Sequence, residues 1–139
     1  MTVRLLSDVE FGYELPVFKP DTSLDAARHF AEVAGYAGSG RFEDHEKARA
    51  QGLPGALVPG IMGMGFLVGM IHRWAPAGQI KHIDMVFRAP VLADHQHTVS
   101  AVVTDIDEDR GEVVLDLTIK NDKGETRVFG TANVAIPKS

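Results

Sequence analysis

The stretch AGYAGSGRFEDHEKARAQGLPGALVPGIMGMGFL, residues 34–67, decides how the rest of the chain is read. It opens as a glycine-punctuated loop. It continues as a short polar segment of good helix formers, residues 43–51, that predicts a surface helix over an opening. It ends in an apolar run rich in glycine, which predicts a helix that starts near Pro59 and reaches about His72. Proline in the first helical turn costs no hydrogen bond. Gly60, Gly63, Gly65 and Gly69 each weaken a helix by about 1 kcal/mol relative to alanine, so this run makes sense where close approach repays them, as in a buried helix against a curved sheet. A membrane span is a poor reading of residues 56–71, because the run falls short of the ~18 apolar residues required and contains Pro59 and four glycines.

Upstream, residues 12–19 read as a first strand, and Pro20-Asp21-Thr22-Ser23 turns the chain and supplies a Ser or Thr cap. Leu24, Ala27, Phe30, Ala31 and Ala34 then recur at helical spacing, predicting an amphipathic helix over residues 23–34 that stops at Gly35. Downstream of Pro76-Ala77-Gly78 the period becomes two: Ile83, Met85 and Phe87 point one way, and His82, Asp84 and Arg88 the other. Three more such segments follow, residues 98–106, 112–120 and 125–136, joined by Asp107-Glu108-Asp109-Arg110-Gly111 and by the hairpin signal Asn121-Asp122-Lys123-Gly124. A strand, then helices, then an antiparallel meander is an α+β order, and 139 residues make one domain, 1–139, the simplest organisation.

With 45% hydrophobic and 24% charged residues the composition is that of a soluble globular protein, and a formal charge of -5 without a basic stripe argues against nucleic-acid or anionic-membrane partners. The absence of cysteine excludes disulfides and thiolate chemistry and fits a reducing cytoplasm. No apolar run of signal-peptide type opens the chain. His95 and His97 alternate along one segment but lack a third ligand, so they are expected to be solvated strand-edge residues rather than a metal site.

The 34–67 stretch, together with the FGYEL start and the RVFGTANVAIP end, resembles the MaoC-like hot-dog family, the (R)-specific enoyl-CoA hydratases and 3-hydroxyacyl-thioester dehydratases. The family's pattern runs Asp, x, Asn, Pro, x, His, x, Asp, then Ala, x, x, x, Gly and later His-Gly. The resemblance implies a hot-dog fold, an antiparallel β-sheet wrapped around a long central helix. Counted back from Gly60 on the family's His-Gly, Gly52 and Ala48 keep their places and Asp44 falls on the second Asp. Phe42 then stands where the catalytic His belongs, Ala37 (or Tyr36, with one gap) where the first Asp belongs, Ser39-Gly40 near the Asn-Pro pair, and Pro59 in place of the second His. Neither Phe42 nor Ala37 can move a proton. Tyr36, Arg41, Asp44 and His45 remain nearby as candidate replacements for the acid and base, although Asp44 is expected instead to cap or orient the loop and His45 to face solvent on the short helix. In the family the amide at the central helix start polarises the thioester carbonyl. The resemblance therefore implies substrate contacts at Pro59, Gly60, Ile61 and Phe42, and no metal, flavin or nucleotide cofactor beyond the thioester carrier, CoA or acyl-carrier protein.

Three functions are compatible with this pattern. The first is an acyl-thioester-binding subunit of a heteromeric dehydratase in fatty-acid metabolism, whose partner supplies the acid and base. The second is a hydratase or dehydratase with relocated catalytic groups. The third, a thioesterase, is disfavoured because no carboxylate occurs between Pro54 and Ile83. A homodimer, or a heterodimer with another hot-dog chain, is expected, with an edge near Phe129, Ala132 and Val134 pairing across subunits.

Overall fold

A computed structural model describes residues 2–139. Ser23 caps α1 (Leu24–Ala34) by accepting the Ala26 N–H, and Gly35 ends it at φ 85, a left-handed conformation that glycine adopts without strain. Asp44, rather than Glu43, starts α2 (His45–Ala50), its carboxylate accepting the Lys47 N–H. The central helix α3 (Gly60–Trp74) follows Pro59 and extends two residues beyond the expected His72. Strands β1 (Gln79–Phe87), β2 (Thr98–Asp107), β3 (Glu112–Lys120) and β4 (Thr126–Ala135) then form one antiparallel sheet in the order β1-β4-β3-β2.

The core lies between α3 and the inner face of this sheet. Leu67, Met70, Ile71 and Trp74 of the helix pack with Val99, Val103, Val113, Leu115, Leu117, Ile119, Val128, Ala132 and Val134. A second cluster, Ala27, Ala48, Ala56, Val58, Met62 and Ala93, seats α1 and α2 over the first half of α3. The helix glycines do not share one role. A Cβ on Gly63 would touch Ile119 at 3.5 Å, whereas one on Gly65 would meet open space and one on Gly69 only the end of Arg73. A contact of 3.5 Å is ordinary packing, so steric need accounts for none of these three.

Residues 12–19 are not the regular strand that their pattern suggests. They run beside β2 and make backbone bonds such as Leu15 N–H to Ala101 O (2.9 Å) and Phe18 N–H to Val99 O (2.9 Å), but only Glu14 and Phe18 form isolated bridges. Pro16, which has no N–H, interrupts the ladder between them. The free edge is also not where Phe129, Ala132 and Val134 would place it. Their strand, β4, is internal, Ala132 and Val134 are fully buried in the core, and the uncovered edge belongs to β1. No helix among the described residues is long and apolar enough to cross a membrane.

Candidate functional site

The amino end of α3 opens on a cavity of about 400 Å³ walled by Phe42, Leu57, Val58, Pro59, Gly60, Gly63, Phe87, Arg88, Ala89, Pro90, Val91 and Val128. Four parts of the chain meet there. Phe42 comes from the loop before α2, Leu57 to Gly60 and Gly63 from the lead-in and start of α3, Phe87 to Val91 from the end of β1 and the loop beyond it, and Val128 from β4. The Phe87 ring stands so close over the helix start that a Cβ on Gly60 would lie 3.1 Å from its Cε1 and 3.3 Å from its Cζ. A side chain at this position would press on the ring by a few tenths of an ångström, and glycine gives the aromatic wall and the helix terminus room to meet.

The polar character of the cavity is concentrated at two places. Pro59 offers no side-chain cap, and among the described residues the Gly60 and Ile61 N–H groups have no acceptor within the protein. They lie at the positive end of a helix of 15 residues, where a partial negative charge is favoured. The other polar group is Arg88, the one ionisable side chain in the wall. The cavity can thus hold an apolar body and polarise an oxygen at its helix end, but its wall contains no group that could shuttle a proton at neutral pH.

The residues singled out from the sequence separate into two sets. Phe42, Pro59 and Gly60 come together at the cavity. Ile61 does not line it and is 47% exposed. Tyr36 is exposed and packs on Phe42 with ring centroids 6.3 Å apart, and Ala37 is exposed in the turn between. Glu43 closes this turn by accepting the N–H groups of Gly38 (3.0 Å) and Gly40 (3.3 Å). Asp44 is the α2 cap, and the Lys47 N–H bond holds its carboxyl below the usual range.

His45 does not face solvent as expected. Its Nδ1 accepts the Ala56 N–H at 3.0 Å and its Nε2 lies 2.7 Å from Asp94 Oδ2. A second Asp94 oxygen accepts the Leu24 N–H at 2.8 Å. Asp94 was not singled out by the sequence, since its partners are 49 and 70 residues away; an aspartate before His95-Gln96-His97 carries no local signal. The hydrogen bond from His45, with that from Leu24, holds the Asp94 carboxyl below its ordinary value.

His97 also departs from the solvated role expected of it. It is 1% exposed, with Nδ1 2.8 Å from the His95 carbonyl oxygen, and burial pushes its pKa down. His95 pairs instead with Asp122 at 3.2 Å. Among the described residues no three His, Asp or Glu side chains converge as a metal site would require.

No family model and no curated protein matches the chain. Solved structures do. The (R)-hydratase PhaJ1 from Pseudomonas aeruginosa superposes with a TM-score of 0.87 at 17% identity, over 97% of this chain and 86% of that one. The (R)-hydratase from A. caviae involved in PHA biosynthesis gives 0.85 at 19% identity, over 93% and 98% of the two chains. A chain of the ChsH1-ChsH2 complex from Mycobacterium tuberculosis gives 0.81 at 23% identity, over 91% and 98%. A single antiparallel sheet holding one buried helix, matched over nearly the whole length of these proteins, is the hot-dog fold of the (R)-hydratases and MaoC-like dehydratases, and this chain has that fold.

Proposed function

We infer that this chain is an acyl-thioester-binding hot-dog protomer of hydratase/dehydratase descent, which binds an acyl-CoA or acyl-carrier-protein thioester without completing the reaction alone. The observation that carries this reading is the composition of the cavity wall: the Gly60 amide at the α3 start has no acceptor among the described residues, apolar side chains surround it, and no carboxylate or imidazole lines the wall. A thioester fits such a wall: its carbonyl oxygen accepts the Gly60 amide and its acyl chain lies against Phe42, Val58, Phe87 and Val128. Hydration needs in addition a base for water and an acid for the α-carbon. The His45 imidazole, bonded to the Ala56 amide beside the wall, has both nitrogens engaged, which disfavours a relocated catalytic pair there. The likeness to a chain of the two-component ChsH1-ChsH2 complex supports the companion idea, that a second hot-dog chain supplies the acid and base.

Calorimetry with a thioether analogue of an acyl-CoA tests the binding. Gly60→Ala and Gly60→Pro separate the steric from the polar part, since both crowd Phe87 but only proline removes the N–H. Pro59 already has the extended geometry that a following proline demands, with φ -55 and ψ 138. Gly60→Pro is expected to bind about fivefold more weakly than Gly60→Ala. The chain alone should leave the enoyl-thioester absorbance unchanged, because each missing proton-transfer group is worth about 10²-fold or more in rate. Turnover at an ordinary hydratase rate would overturn the reading.

A further inference from the structure

One wall of the cavity is made of two short segments joined edge to edge, residues 56–58 and residues 91–93. Val58 N–H donates to Val91 O at 2.8 Å, Ala93 N–H donates to Ala56 O at 2.9 Å, and Leu57 bridges Leu92. The first segment runs directly into Pro59 and Gly60, and the second carries Val91 into the cavity. This ladder is only three residues long. At its far end stands the His45 imidazole, whose Nδ1 accepts the Ala56 N–H and whose Nε2 therefore carries the proton given to Asp94 Oδ2. The ring spans from the end of one segment to the end of the other and is the last rung of the ladder. Gly55 gives the ring room, since a Cβ there would press on Nδ1 at 3.2 Å. Asp94 is the one non-glycine residue at positive φ, 67, among the described residues. That conformation turns its carboxylate back toward His45 and the Leu24 N–H; strain of this kind persists only where surrounding bonds hold it.

We propose that His45 and Asp94 are positioning residues for the cavity, setting the spacing of its two wall segments and the placement of the Gly60 amide without touching the ligand. The proposal rests on the reading of the cavity as a thioester site for its ligand, but not for its geometry, and the test separates the two. Amide resonances of the uniformly ¹⁵N-labelled protein report the wall with no ligand present. Calorimetry with the acyl-CoA thioether reports binding. In His45→Gln, whose amide reaches the Nε2 position and leaves Ala56 without an acceptor, the resonances of residues 56–61 and 91–93 should move and affinity should fall about fivefold. His45→Asn places an oxygen near the Nδ1 position and should restore the Ala56 resonance and part of the affinity. Gly55→Ala, which keeps the histidine but displaces its ring, should reproduce the glutamine result. Changes confined to α2, with residues 56–61 unmoved, would overturn the proposal whether or not the thioether binds. Wall resonances that move while the wild-type protein binds no thioether would support the positioning role and sink the thioester reading alone.

Discussion

The buried imidazole of His97 makes stability depend on pH in a range where the carboxylate contributions no longer change. Desolvation lowers its pKa below the ordinary value of 6.5, so the folded chain keeps it neutral where the unfolded chain would protonate it. Its contribution is complete above the unfolded value and is lost as the pH falls from about 6.5 toward the lower folded value. Asp94 acts in another window. Its lowered pKa contributes stability that is present above about 3.9, the unfolded value, and declines only in stronger acid. The urea midpoint of the wild-type protein should therefore fall between about pH 7.5 and about pH 5.5, and His97→Asn, which retains a donor for the His95 carbonyl, should flatten that fall. An equal slope in the variant would remove His97 as the source. At this scale the sequence was legible where chemistry is local. Ser23 and Gly35 cap α1 as their neighbours suggest, because a cap bonds within three or four residues. His45 and His97 were misplaced because each is defined by partners or burial that the chain brings together only on folding.

Among the elements, β1 depends most on a single partner position. A Cβ on Gly130 of β4 would collide with the Asp84 carbonyl oxygen and stand 2.9 Å from its carbon and 3.0 Å from the Met85 Cα. Gly130 pairs with Met85, two residues before Phe87, so the pressure would reach the strand end that closes the cavity. Gly130→Ala should cost about 1–3 kcal/mol in denaturant unfolding, the range for overpacking a tight contact. It should also weaken thioether binding by displacing Phe87. An unchanged unfolding midpoint would show that the strand yields freely. The period-two pattern of β1 was readable in Ile83, Met85 and Phe87, but its neighbour was not, since strand order is not written in alternation. For the same reason the apolar pattern of residues 12–19 suggested a ladder that Pro16 interrupts.

At the level of the whole molecule, the two sides of the sheet are unequal. Residues 12–18 cover the β2 edge with backbone bonds to Val99, Ala101 and Val103, whereas among the described residues nothing covers the outer edge of β1. Val86 of β1 lies beside Phe129 of β4 in register, 49% and 41% exposed, on the outer face near that open edge. Open edges with apolar neighbours invite strand pairing, and light scattering should give about twice the 15.1 kDa chain mass, from a second copy or from a co-expressed hot-dog partner. Val86→Lys, a charge of the kind that protects natural edges, should shift the chain toward monomer. A wild-type monomer at tens of micromolar, with no hot-dog chain bound, would contradict the expectation.

The inequality of the two edges also sets a limit on growth. A sheet open on both sides can be extended indefinitely by copies of itself, whereas one covered by its own amino-terminal segment can be extended only once. When two such sheets join through their β1 strands about a two-fold axis, each uses the other's sole vacancy, and the eight-stranded product presents only covered margins. The irregular segment around Pro16 would thus terminate such assembly at the pair, and a chain lacking it would be expected to polymerise.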